Sequence, residues 1–102
     1  MNIVLVRQGK VELRNSNGSF VRNVYSGNNA VSADLSADES KVLVTTANGK
    51  VELRTSNGSF IRNITSANAV DARWSGGGIL VMTASGKAEL RQENGSLIRT
   101  IA

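Results

Sequence analysis

The chain repeats itself three times, and this internal repeat limits the possible folds more than any other feature of the sequence. Residues 9–24 read GKVELRNSNGSFVRNV, residues 49–64 read GKVELRTSNGSFIRNI and residues 86–101 read GKAELRQENGSLIRTI. The first two segments agree at 13 of 16 positions and the last two at 11 of 16. The segments between them also align, AVSADLSADESKVLVTTAN with AVDARWSGGGILVMTAS. We therefore expect similar supersecondary units packed side by side.

Residue alternation inside each unit predicts strands. In KVELR, at 10–14, apolar side chains alternate with charged ones, and the same alternation recurs at 50–54 and 87–91. A period of two is typical of a half-buried β-strand, whereas a helix would space its apolar residues by three and four. β-branched residues dominate KVLVTT at 41–46, as a pleated surface favours.

Glycine-containing turns divide each unit into strands. Asn17-Gly18, Asn57-Gly58 and Asn94-Gly95 each predict a two-residue hairpin turn with positive φ, because this dipeptide tolerates that conformation. A second turn recurs before each KVELR-like strand. A full unit then has four strands, which in the middle unit we place at 31–35, 42–46, 50–55 and 59–64.

The unit boundaries leave the first unit incomplete. We divide the single repeat domain, residues 1–102, into units 1–29, 30–68 and 69–102. The first unit begins at Asn2–Val6, which aligns with the second strand of the other units. The predicted total is eleven strands.

The period near forty residues, the four strands and the closing pattern G-K-V-E-L-R … N-G-S-F-I-R-N-I together resemble WD-repeat β-propeller blades. The Gly-His and Trp-Asp signatures of that family are absent, and Leu-Arg replaces Trp-Asp in every unit. The resemblance implies an all-β fold, a half-propeller of three blades. No binding residue of the family has a counterpart in this sequence.

Three blades cannot close a ring, because propellers usually contain four to eight. A lone half-propeller would leave two apolar faces in water, each on the order of 400 Å², or roughly 10 kcal/mol at about 25 cal/mol per Å². We therefore expect a six-bladed homodimer; a trimer would have nine blades. A fragment of a longer propeller is the alternative.

Composition excludes several classes of function. The chain has no cysteine and no histidine, which removes thiolate sites, disulfides and the commonest general base and metal ligand. We expect no enzyme, no catalytic or metal-binding residues and no cofactor. The apolar run Ile3–Val6 is too short for a signal peptide or a membrane span, so we expect a cytoplasmic protein with no membrane partner.

Basic residues recur at equivalent positions and give a net charge of +4. A polyanion or nucleic acid is therefore a possible partner. The alternative is that the repeated Glu12, Glu52 and Glu89 neutralise arginines across neighbouring strands. The candidate anion surface comprises Arg14, Arg54, Arg91, Arg22, Arg62 and Arg99.

The first strand of a propeller blade lines the central channel, which makes its polar residues candidates for a ligand site. Asp34 and Arg73 occupy equivalent positions and are expected to approach each other, with Asp71 nearby. Tyr25, in a Ser/Asn-rich connection, is a further candidate to bind a sugar or peptide. The alternatives are simple solvation of the channel wall and a turn role for the connection. Trp74 aligns with Leu35, which favours core packing over sugar stacking.

The leading functional hypothesis is a non-enzymatic binding or scaffold module that forms a ring with a second copy of itself. Its loops and channel would contact a protein or a small ligand. Polyanion binding and a sugar-binding lectin are the alternatives.

Overall fold

The computed structural model describes residues 1–101 and contains eleven strands, with no helix in that range. The predicted all-β class and strand number are confirmed. No helix in the described range is long and apolar enough to cross a membrane. The strands are β1 (Asn2–Arg7), β2 (Lys10–Asn15), β3 (Phe20–Tyr25), β4 (Ala30–Leu35), β5 (Lys41–Thr46), β6 (Val51–Thr55), β7 (Phe60–Thr65), β8 (Ala69–Ser75), β9 (Gly78–Thr83), β10 (Ala88–Arg91) and β11 (Leu97–Ile101).

The strands form three antiparallel sheets in chain order. The first sheet is β1-β2-β3, the second is β4-β5-β6-β7 and the third is β8-β9-β10-β11. Pairing is equivalent in the three sheets: Val4 lies opposite Leu13, Leu43 opposite Leu53, and Leu80 opposite Leu90. The first sheet lacks a counterpart of β4 and β8, so β1 pairs with β2 alone.

The Asn-Gly hairpins differ from the predicted two-residue turns. The Gly18 amide donates to the Asn15 carbonyl at 2.9 Å, so the turn residues are Ser16 and Asn17. Of Asn17 and Gly18, only the glycine has a positive φ, 89°. The same holds for the other two hairpins. A type I turn followed by a left-handed glycine is the common three-residue hairpin, and it explains why glycine is required there.

Two apolar layers hold the three sheets together. One layer lies between the first and second sheets and includes Leu13, Val42 and Val44. The other lies between the second and third sheets and includes Leu43 and Leu53. Alternate residues of β5 therefore enter opposite layers, which explains its three consecutive apolar residues, Val42 to Val44, since a strand covered on both faces favours apolar residues on both.

One polar group in these layers lacks a partner. Thr45 is 1% exposed, and its hydroxyl makes no hydrogen bond within residues 1–101. Strand pairing places Val6 and Met82 at the equivalent positions. We expect Thr45→Val to stabilise the fold by about 1 kcal/mol, since it removes an unsatisfied buried hydroxyl. Urea unfolding would measure the change.

The neighbouring threonine provides the matched control for this prediction. Thr46 is equally buried, at 2% exposed, but its hydroxyl donates to the Asn48 side chain. Thr46→Val should destabilise the fold by about 1 to 2 kcal/mol, because Asn48 loses that bond. Equal effects of the two substitutions would contradict the prediction.

Candidate functional site

One arginine in each sheet, on β2, β6 and β10, is held in the same way. Arg14 Nη2 lies 2.7 Å from Glu12 Oε1, and its Nη1 donates to the Gly18 carbonyl at 2.8 Å. Arg54 bonds Glu52 at 2.9 Å and the Gly58 carbonyl at 3.0 Å. Arg91 repeats the arrangement with Glu89 at 2.9 Å and the Gly95 carbonyl at 2.7 Å.

The predicted ion pairs form, but along one strand and not across neighbouring strands. The reason is the pleat: residues i and i+2 point to the same face of a strand. The arginine also closes the following hairpin through a glycine carbonyl, which the sequence interpretation missed. The constant spacing of four residues between arginine and glycine in every repeat was the available signal. Half of the candidate anion surface is thus neutralised locally.

The arginines on the last strand of each sheet reach toward the next sheet. Arg22 Nη1 donates to the Ser56 carbonyl at 3.4 Å, and Arg62 Nη1 donates to the Glu93 carbonyl at 3.1 Å. Ser56 and Glu93 occupy the same position in successive hairpins. Arg99 is the third member of this series, on β11, and no sheet follows it within the described residues.

The candidate channel residues join β4 to β8. Ser32 Oγ donates to Asp71 Oδ1 at 2.8 Å, and the Trp74 amide donates to Asp34 Oδ2 at 2.9 Å. Arg73 forms its ion pair with Asp71 on the same strand, at 3.2 Å, while Asp34 binds the amide of the adjacent Trp74. These carboxylates hold neighbouring sheets together.

Tyr25 is held between the first and second sheets. Its hydroxyl donates to the Asn29 side chain, and the Arg54 guanidinium carbon lies 5.0 Å from the ring centroid. Its ring also packs against the buried layer beneath it. A ligand that bound the hydroxyl or the ring face of Tyr25 would compete with these contacts.

The surroundings of Tyr25 change its ionisation. Burial, aided by the charge of Glu52 and opposed by Arg54, raises the pKa of Tyr25 above the usual 10.0. A group with a raised folded-state pKa stabilises the fold below its unfolded pKa and loses that contribution as pH rises through the folded value. We therefore expect this stabilisation to disappear above pH 10.

Tyr25 is the only tyrosine, so phenolate absorbance reports its titration directly. The absorbance midpoint should lie above that of the urea-unfolded chain. Tyr25→Phe provides the control for melting temperature against pH, because other ionisable groups also change charge in alkali. A folded midpoint at or below the unfolded one would contradict the assignment.

A cleft of about 470 Å³ lies between the β4–β5 and β8–β9 turns. Trp74 lines it, but the indole also packs on the buried layer and its Nε1 donates to the Asp34 carbonyl at 3.2 Å. Core packing of Trp74, favoured by the sequence, is what the structure shows. Lys41 and Glu93 form an ion pair of 3.0 Å at the cleft.

The acidic turn beside this cleft is closed by its own serines. Asp38 accepts hydrogen bonds from Ser36 Oγ and Ser40 Oγ, each at 2.7 Å. The bonds from Ser40 and then Ser36 lower the pKa of Asp38 to about 2. Within the described residues no group of three acidic side chains is placed to hold a metal ion.

No family model matches the chain, and no curated protein is significantly similar to it.

Proposed function

We propose that the chain is a non-enzymatic scaffold that assembles from two copies into a six-bladed β-propeller. The observation that carries this proposal is a pair of open sheet faces whose equivalents elsewhere in the molecule are buried. Each blade corresponds to one of the three sheets. The ring presents its loops and interblade clefts to a protein or a small ligand.

The open face of the third sheet is formed by Leu80, Met82 and Leu90, which are partly exposed. The second-sheet equivalents of Leu80 and Leu90 are Leu43 and Leu53, which are 0% and 1% exposed because the third sheet covers them. Ile101, also on the third sheet, is 48% exposed, whereas its equivalent Ile64 is 3% exposed. A further sheet is needed to cover this face.

The first sheet has the opposite face open. Ile3 is 43% exposed, although Val42 and Ile79 at the equivalent positions are each 0% exposed. Strand pairing sets this equivalence, since these three residues lie opposite Arg14, Arg54 and Arg91. The open faces of the third and first sheets therefore correspond to the two surfaces that pack together at each internal junction.

The contacts of the hairpin glycines and of the last-strand arginines at the existing junctions also predict how the open faces of the first and third sheets would meet in the ring. A side chain on Gly58 would approach the Asn23 carbonyl at 3.3 Å, and one on Gly95 would approach the Ile64 carbonyl at 3.2 Å. Gly18, in the first sheet, meets nothing within 4 Å. In the ring, Gly18 packs on the end of β11 of the other copy. Arg99 then binds the Ser16 carbonyl there, as Arg22 and Arg62 bind their acceptors.

The junction in the ring differs from the internal ones in one respect. The first sheet has no equivalent of β4, so the inner edge of the new junction is one strand short. The ring of two copies has 22 strands, twice the eleven of one chain. The missing inner strands widen the channel beside β1.

Light scattering of the purified chain across a range of concentrations tests the proposal. We expect a mass of twice 10.8 kDa. A chain that stays at 10.8 kDa at all concentrations would refute the ring, and three times that mass would refute the six-bladed form.

Polyanion binding is the competing function, and the local ion pairs weaken it. Glutamates neutralise three of the six candidate arginines, and Arg22 and Arg62 are occupied by carbonyls. A DNA affinity that is micromolar and falls steeply with salt would overturn this ranking.

A further inference from the structure

The junction between the first and second sheets contains an aromatic side chain at a position where the junction between the second and third sheets has none. The β2–β3 ladder places Tyr25 opposite Val11, and the β6–β7 ladder places Thr65 opposite Val51. Val11 and Val51 are equivalent residues of the repeat, so Thr65 stands where Tyr25 stands one unit earlier. The second junction therefore lacks the ring that fills the first.

At the first junction the tyrosine ring has three kinds of contact. It lies under Arg54, at 5.0 Å from the guanidinium carbon to the ring centroid. Its hydroxyl donates to Asn29, and its apolar edge packs against the buried layer. Gly27 leaves room for the ring, because a side chain there would come within 2.6 Å of it.

At the second junction the same region is an open cleft of about 710 Å³. Two of the groups that hold the ring at the first junction have sequence equivalents at this cleft. The connection from Thr65 to Ala69 is one residue shorter than that from Tyr25 to Ala30, and Asn68 has a φ of 71°. Arg91 is the equivalent of Arg54, and Asn68 precedes Ala69 as Asn29 precedes Ala30. The residues lining the cleft include Thr65, Asn68, Thr83, Lys87, Glu89 and Arg91.

Arg91 differs from the other two arginines in having no aromatic neighbour among the described residues. Arg14 lies 5.8 Å from the Phe20 centroid and Arg54 lies 5.7 Å from the Phe60 centroid. Leu97 replaces the phenylalanine in the third sheet. Glu89 and the Gly95 carbonyl nevertheless hold the Arg91 guanidinium in the common position. Its planar face is fixed in place and available to an aromatic ring.

We propose that this cleft binds a phenol group. The ring stacks on the Arg91 guanidinium, and the phenolic hydroxyl donates to the Asn68 side-chain oxygen. Glu89 pairs with Arg91 at 2.9 Å, so a ligand meets the planar face of the guanidinium more than its charge, and a neutral aromatic with a hydroxyl donor matches that face and the Asn68 acceptor. The cleft is larger than a phenol ring, so it admits a substituent on the ring, as in a substituted phenol or a tyrosine side chain.

Amide NMR titration with p-cresol tests the proposal, and it does not depend on dimer formation. We expect saturable shifts at Thr65, Asn68 and Arg91. Toluene, which lacks the hydroxyl, and cyclohexanol, which lacks the aromatic face, should produce clearly smaller shifts at the same concentration. The absence of saturable p-cresol shifts, or equal shifts from all three compounds, would overturn the proposal.

Two substitutions locate the binding. Thr65→Tyr places the chain's own ring in the cleft and should abolish p-cresol binding, whereas the exposed Ser19→Tyr should leave it unchanged. Arg91→Lys keeps the charge but removes the planar face and should weaken binding roughly 2- to 10-fold. Unchanged binding in both Thr65→Tyr and Arg91→Lys would place the phenol elsewhere and refute the site.

The source of the phenol is distinguished by a peptide pair. If a partner's tyrosine is the ligand, Gly-Tyr-Gly should shift the same amides and Gly-Phe-Gly should not. Shifts from p-cresol alone would restrict the cleft to a free small phenol.

Discussion

In the proposed two-copy ring, Leu90→Arg should halve the mass of the assembly, from twice 10.8 kDa to 10.8 kDa. Leu90 lies on the open face of the third sheet, and its equivalent Leu53 is 1% exposed under the next sheet. An arginine there would have to be buried without a partner charge. Losing a buried apolar contact of this kind typically costs about 2 kcal/mol or more of binding free energy, which weakens the affinity roughly 30-fold. A ring of two copies contains this junction twice, so both are weakened.

The control for the Leu90→Arg variant is the same leucine-to-arginine substitution at a position that no junction covers. Leu97 is 50% exposed, and its equivalents Phe20 and Phe60 are 53% and 52% exposed even beside covered junctions. Leu97→Arg should therefore remain a dimer. Sedimentation velocity measures both variants, and circular dichroism checks that each is folded. A folded Leu90→Arg variant that keeps the parent mass would contradict the proposed junction.

Leu53→Ala should remove much of the stability of the fold. Leu53 is 1% exposed in the layer between the second and third sheets, in contact with the cluster that includes Ile79. Truncating a buried leucine to alanine costs about 2 to 5 kcal/mol, because the lost burial is combined with an unfilled cavity. Domains of this size have only about 5 to 15 kcal/mol in total. The midpoint of urea unfolding should fall accordingly.

Phe60→Ala is the comparison for this prediction. Phe60 loses a larger side chain but is 52% exposed, and its ring centroid lies 5.7 Å from the Arg54 guanidinium carbon. We expect a cost of about 1 kcal/mol or less. If Phe60→Ala destabilised the fold more than Leu53→Ala, the assignment of the apolar layer would be wrong.

The strands were predictable from sequence because each repeat carries the same local signals. The middle unit was placed at 31–35, 42–46, 50–55 and 59–64, and its observed strands, β4 to β7, begin and end within one residue of these limits. Alternation of apolar and polar residues fixes which face each side chain occupies, and three copies of a pattern reinforce one another.

The contacts of the polar residues were less predictable. The sequence suggested arginine–glutamate pairs but gave the wrong geometry, because pairing along a strand and pairing across strands use the same residue types. It also suggested that Asp34 approaches Arg73, but it did not indicate that the carboxylate binds the amide of the adjacent Trp74 or that Arg73 pairs with Asp71. Such choices depend on how two sheets stack, and a repeat pattern within one sheet does not contain that information.

The role of Tyr25 depended on a difference between repeats. A repeat pattern is defined by the positions that agree, and Tyr25 against Thr65 is a position that does not. Its significance appears only when the Arg54 contact and the empty Arg91 cleft are compared.

The unpaired side of β1 has a consequence for handling the protein. A free strand edge exposes backbone donors and acceptors to which any extended chain can add, and proteins usually guard such edges with charge. The last strands β3, β7 and β11 carry Arg22, Arg62 and Arg99, but β1 reads NIVLVR and has its single charge at the end. Fibrillar aggregation on storage should therefore start at Asn2–Arg7, and a lysine placed within this segment should delay it.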